Sequence, residues 1–422
     1  MIHGSIRRIG LRVGAGALLA LGLLLVAAVI LQQSAPVVED ILDARDLPFT
    51  LTEWEAWHAL PPDESNAAPL LLQAVDALPA DEDSAIALLI EAASYDGCRF
   101  ELPASSPREE TLRLYADLRA LNDTLRVRCD HALSQGDGDT LALLIEAMLF
   151  LAFAAMQHPD FFGYYTASAM VLQPLEKLSN ALSAGLLDLD AINRIDSHLA
   201  RLEDPELARR AVLGGMATAI HHGGDSPDLD AVMSRIPGLF RAWVWTSIPA
   251  RLQAVYARDH LRAHDILALP YAEQRASLAE WEYTTDTLIS AIEQFTRFPY
   301  YLARIGDPDY FVTGMALHQG RMAAARGALN VERYRIAHEN LPESADQLSQ
   351  TGLPLPGDPL GDGPIRYALD GDGSYRTWSI GLNQLDNGGY MERYAGPDLV
   401  FRVVPSLVVE TVAVEPVASE GE

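Results

Sequence analysis

The order of apolar and polar positions divides the chain into three regimes. The first is an uncharged run from Val13 to Leu31, VGAGALLALGLLLVAAVIL. Its nineteen residues, at about 1.5 Å rise each, nearly span a hydrocarbon core of about 30 Å. Arg7, Arg8 and Arg12 precede the run and Glu39 and Asp40 follow it. That asymmetry predicts a transmembrane helix with its N-terminus in the cytoplasm. A cleaved signal peptide is the rival reading. Its best site, QQSAP, has Gln33 at −3 and Pro36 at +1, both poor for cleavage, so an uncleaved anchor is favoured.

In the second regime apolar residues recur at helical offsets. Leu70, Val75 and Leu78 mark one helix, closed by Pro79; Leu112, Leu114, Leu118, Leu121 and Leu125 mark a second. GDGDT, at 136–140, breaks the chain and caps LALLIEAMLFLAFAAM, which is apolar nearly all round and interrupted by Glu146. That segment is expected at the centre of a bundle rather than as a second span. Further helices are predicted over Tyr164–Ala184, Leu189–Leu202, Pro205–His221, Pro237–Leu269 (kinked at Pro249), Tyr271–Phe298 and up to His338. Short turns join most of them, as in a bundle or solenoid. No fixed repeat period aligns.

In the third regime the spacing changes to alternation. IRYAL (365–369) and YRTWSI (375–380) predict a hairpin around Asp370–Gly373, and DLVFRVV (398–404) a third strand. Ser344 and Gln347 form a capping box before it. The fold class expected is therefore mainly α: a membrane helix, a helical exported domain, and a small C-terminal α+β module. The boundaries are residues 1–12 cytoplasmic, 13–31 membrane helix, 32–60 irregular juxtamembrane linker, 61–310 helical domain, 311–404 α+β module and 405–422 acidic disordered tail.

Composition narrows the partners. Acids outnumber bases by 58 to 31, for a formal charge of −27, which argues against binding a nucleic-acid backbone. The bases are arginines except for Lys177. Cys98 and Cys129, the two cysteines, either pair in an oxidising compartment or stay as two buried thiols. Their spacing is not that of a metal or redox motif.

Catalytic signatures such as H-E-x-x-H, G-x-S-x-G or a P-loop do not occur in the exported part. His221-His222, followed by Gly223-Gly224-Asp225, could contribute to a metal or ligand site, yet adjacent histidines on a helix diverge by about 100°. A polar helix end explains them as well. Trp243 and Trp245 read as helix–helix core or as a surface resting on a bilayer. Glu109-Glu110 and Asp81-Glu82-Asp83 read as solvated helix starts.

From Arg321 to Tyr390, less than a fifth of the chain, LPES, GDPLGDGPIRY and GSYRTWSIGLNQLDNGG follow a long helix. This stretch resembles the C-terminal globular part of the major pseudopilin of type II secretion systems. Asp358-Pro359, Gly361, Tyr367, Ser379, Gly381, Asp386 and Gly388-Gly389 fall in that family's order. The N-terminus lacks the family's Phe-rich helix with its early Glu, so the resemblance does not imply a processed fibre subunit. It does imply a calcium site at Asn383, Asp386 and Asn387, although Asp386 is the loop's one clear carboxylate and calcium takes six to eight oxygens. A turn satisfied by its own Asx and Gly residues is the competing reading. An EF-hand is excluded, because Tyr375 and Gly381 stand where Gly and Glu belong.

Together these features suggest a bacterial inner-membrane protein, single-pass, with its bulk in the periplasm. Its expected role is a non-enzymatic scaffold or adaptor that binds a protein partner. A periplasmic ligand-binding protein or enzyme with a pocket between helices, near His221, His222, Trp243 and Trp245, is the alternative.

Overall fold

The computed structural model describes residues 38–48, 51–57, 61–102, 108–158, 160–222, 238–282, 308–390 and 398–405. In parts of these, His221, His222 and 238–250 among them, only the backbone is described. The expected membrane helix at 13–31 and the tail from 406 onward lie outside these residues. What is described is mainly helical, with one small three-stranded antiparallel sheet.

The helices, in chain order, are α1 (Val38–Asp43), α2 (Leu51–Trp57), α3 (Ala68–Ala77), α4 (Glu82–Ala92), α5 (Arg108–Gln135), α6 (Gly138–Gln157) and α7 (Phe161–Met170). They continue with α8 (Leu172–Ser183), α9 (Leu189–Leu202), α10 (Pro205–His222), α11 (Gly238–Leu267), α12 (Tyr271–Ala279), α13 (Pro308–His338) and α14 (Ala345–Gln350). The strands are β1 (Arg366–Leu369), β2 (Tyr375–Ser379) and β3 (Leu399–Val403), in the order β1-β2-β3.

Local chemistry sets many of these starts. Asp81, Asp137, Asp160 and Asp188 each accept the backbone N–H three residues on, which satisfies one of the donors that a helix N-terminus leaves open. Ser344 does the same for Gln347, whose side chain reaches back to the Glu343 N–H at 2.7 Å. The capping box forms one residue out of register with the ideal arrangement.

Three expected boundaries change. The segment 32–60 is not wholly irregular, since α1 and α2 lie within it. The helix expected over Tyr164–Ala184 divides at Val171 into α7 and α8. Pro174 explains the division: it has no N–H to give the Met170 carbonyl, and its ring crowds that oxygen. The helix expected over Tyr271–Phe298 ends at Ala279, where Glu280 closes it by bonding to Ala276 and Leu278. No Gly or Pro stands there to signal the stop.

By contact, the described residues within 59–215, 263–281 and 307–422 form one compact unit, and those within 1–58, 216–262 and 282–306 another. The boundary expected near residue 310 therefore falls inside the first unit. At its centre is α6, packed against α4, α5, α7, α8 and α9. Nearly every residue from Leu141 to Met156 is buried. The helix is long and apolar enough to cross a membrane, but its apolar surface is spent on neighbouring helices. Glu146 is accommodated by Arg194 at 2.9 Å; burial pushes its carboxyl up and the guanidinium opposes that.

In the same unit α13 carries the sheet on one side and meets α9 and α7 on others. The outer edge of β3 is covered by α8. Ser179 Oγ donates to the Arg402 carbonyl at 2.5 Å, and Val404 N–H donates to Ser183 Oγ at 3.0 Å. Two hydroxyls thus occupy backbone groups that would otherwise invite another strand. In the other unit, α11 buries Tyr256 and His260, whose Nδ1 lies 2.7 Å from the Tyr256 carbonyl. The Ile220 carbonyl there accepts from Gln253 Nε2 at 2.7 Å.

Candidate functional site

The C-terminal module brings together the residues that carry the family resemblance. Its sheet can lie close on α13 because Gly320 has no side chain. A Cβ there would come within 2.6 Å of the Leu360 and Leu399 methyls. Thr377 Oγ1 donates to the Ala324 carbonyl at 2.6 Å, and Tyr375 donates to Glu332 Oε1 at 2.7 Å. Glu332 is buried and also holds Arg335. These bonds give the strand one register on the helix.

Asp358 is the hub of the preceding turn. Its fully buried carboxylate accepts from Leu360 N–H (3.0 Å), Ile380 N–H (3.1 Å) and Ser379 Oγ (2.6 Å), and pairs with Arg366. A carboxylate so buried is tolerable only because each oxygen is occupied and a guanidinium balances the charge. Asp358 and Ser379, two of the positions that carry the resemblance, are therefore bonded to each other.

Beyond β2, the loop from Gly381 to Tyr390 holds Asn383, Asp386 and Asn387. Asn383 donates to Asn387 Oδ1 at 2.9 Å and accepts from Leu385 N–H at 3.0 Å. Asp386 Oδ1 accepts from Trp378 Nε1 (3.0 Å) and Gly388 N–H (2.9 Å), while its other oxygen lies 3.8 Å from Arg366 Nε. The loop's centre is Asp398, at the head of β3, which accepts from Asn387 N–H at 3.1 Å and Gly389 N–H at 2.9 Å. Burial pushes the Asp398 carboxyl up, the two N–H bonds oppose this, and the neighbouring Asp386 adds to it. Gly389 takes φ +69°, and a Cβ there would sit 2.8 Å from Arg376 Nε.

In this arrangement the loop's oxygens are engaged by groups of the chain itself. The three expected side chains turn their oxygens to N–H donors, and Arg376 donates to the Gly388 carbonyl at 3.2 Å. Two guanidiniums border the loop: Arg366, paired with Asp358, and Arg376, paired with Asp370. Among the described residues no group of three His, Cys, Asp or Glu converges as a metal set. The loop closes instead by carboxylate-to-amide bonds around Asp398. Sequence reasoning missed Asp398, although an acid heading an apolar strand must find a partner somewhere.

The remaining candidates are scattered. Cys98 and Cys129 are both buried free thiols, so the pairing left open above is not made. Cys129 Sγ instead lies 3.7 Å from Met148 Sδ on α6, and burial pushes its thiol up to about 12, away from reactivity. His221 and His222 end α10, and Trp243 and Trp245 lie in α11; the side chains of all four fall outside the described residues. Asp81 is a helix cap, and Glu82 and Asp83 both pair with Arg128. Asp130 pairs with Lys177, the chain's one lysine, at 2.6 Å.

No family model matches the chain, and neither the curated proteins nor the solved structures hold a match to it.

Proposed function

We propose that this protein is a membrane-anchored envelope scaffold or adaptor whose C-terminal helix–sheet module is pseudopilin-like in kind and presents its loop to a protein partner. The apolar run at 13–31 would hold it in the inner membrane with the bulk in the periplasm. One observation carries the reading. A module tied into the helical unit through α8 and α9 exposes two large apolar side chains on the loop that Asp398 holds, Leu385 at 64% and Tyr390 at 59%. A fixed loop with exposed apolar tips meets a partner without first losing conformational freedom.

The test is affinity capture from solubilised membranes with the full chain and with a Leu385→Ser/Tyr390→Ser variant. The expected result is a defined partner held by the parent and lost by the variant. Equal capture by both would overturn the role of the loop. A reporter fused after Glu422 is expected to be active only outside the cytoplasm, and activity inside would overturn the topology. Calcium is expected to leave Tm unchanged, since the loop closes without it.

A further inference from the structure

Helix α13 has a second seam, with α7, where His318 Nδ1 and Ser168 Oγ are buried without a partner among the described residues. The helices lie side by side. The Phe161 and Phe311 rings are 4.9 Å apart, Tyr164 and Phe311 5.5 Å, and Tyr164 and His318 5.8 Å. His318 is 1% exposed. Its Nε2 lies 3.0 Å from the Leu202 carbonyl, and its Nδ1 has no partner. A carbonyl only accepts, so Nε2 carries the hydrogen and Nδ1 of the neutral ring is a bare acceptor.

One turn on along α13 is Arg321, half-buried and without an ion-pair or hydrogen-bond partner among the described residues. Its charge is close enough to His318 to hold that imidazole down further, after burial has done most of the work. On α7, one turn beyond Tyr164, Ser168 has a buried hydroxyl that is also without a partner. A guanidinium removed from water without a counter-charge is costly, and so is each orphaned acceptor or donor. This chain carries 58 acids, and none of them among the described residues reaches Arg321.

We propose that the α7–α13 seam at Arg321 and His318 is a binding site for a small oxyanion that also carries a hydroxyl, such as hydrogen phosphate or an α-hydroxycarboxylate. The oxyanion answers the planar donor fork of Arg321. Its hydroxyl donates to His318 Nδ1, which would repel an acceptor oxygen, and Ser168 lines the α7 side. Arg321, being only half-buried, is the point of entry. The site stands independently of the adaptor role proposed above, because neither residue belongs to the C-terminal loop.

The experiment uses the purified full-length protein, titrated by calorimetry and thermal shift with inorganic phosphate, glycolate, acetate and chloride at matched ionic strength. The expected result is saturable binding of phosphate or glycolate, weaker or absent binding of acetate, and none of chloride. Phosphate alone or glycolate alone assigns the source. Arg321→Gln is expected to weaken binding about tenfold or more. Where that variant fails to fold, Arg321→Lys keeps the charge, loses the fork and is expected to bind several-fold more weakly. Three results overturn the proposal: no saturable binding beyond chloride, acetate binding as tightly as the hydroxylated anions, or unchanged affinity in the arginine variants.

Discussion

Helix α13 meets its neighbours in two different ways. Towards α9, Arg326 bonds Asp196 at 2.8 Å and pairs with Glu203, while Arg333 bonds Asp196 at 2.9 Å and Asn193 at 3.0 Å. Towards α7, Arg321 and the Nδ1 of His318, whose Nε2 is held by the Leu202 carbonyl, are left open in a similar environment. On the α9 side charge fixes the register of two helices. On the α7 side the same kind of residue adds no such constraint within the chain, which points to something outside it. The contrast shows that burial of charge is a structural device only when the partner is built in.

The comparison can be broken most severely at the sheet-facing side of the same helix. Glu332→Ala would remove the acceptor of Tyr375 and the partner of Arg335 in a buried setting. Denaturant unfolding is expected to show a loss of about 3 kcal/mol, with the module losing cooperativity first. Asp196→Ala is next, because it takes one partner from each of Arg326 and Arg333; these groups are partly exposed, so about 2 kcal/mol is expected. A double cycle with Arg326→Ala should be clearly non-additive; additivity would mean that the ladder is not a unit. Arg321→Leu is the sharpest contrast. In anion-free buffer its stability is expected to equal or exceed that of the parent, within about 1 kcal/mol, since no bond is lost. A loss as large as that of Asp196→Ala would show that Arg321 is paired after all.

The smallest effect is in the pH dependence. Burial holds the imidazoles of His198, His260 and His318 down to about 4. Unfolded histidine takes a proton near 6.5, so between these values the unfolded chain binds more protons than the folded one. Stability is therefore expected to be full above that window and to fall as pH drops from about 6.5 towards 4. Arg321→Gln removes the charge that helps depress His318, so its decline should be shallower than the parent's. Identical slopes would mean that Arg321 and His318 do not sense each other.

Much of the architecture was legible in the chain. The all-round apolar pattern of 141–156 marked the central helix, because a helix with no polar face can only be surrounded. Asp137 and Ser344 marked helix starts by a bond that spans three residues, and the hairpin followed from alternation around Asp370–Gly373. The division at Val171 was also written in Pro174, although the periodicity ran straight across it. The end of α12 was not written anywhere local.

The candidate sites divide in the same way. Asn383, Asp386 and Asn387 were identified as oxygen-bearing loop residues, yet which way those oxygens turn depended on Asp398 and on two arginines from neighbouring strands. What the sequence determined by itself is what acts over a few residues: apolar periodicity, capping, turns and the breaking of helices. Only the tertiary structure decided the rest. Whether Cys98 meets Cys129, whether Asp386 faces a metal or a tryptophan, and whether Arg326 rather than Arg321 finds an acid are all questions of long-range approach. Charge and hydrogen-bond energies depend on a partner's distance and burial, and those are set by residues far away in the chain.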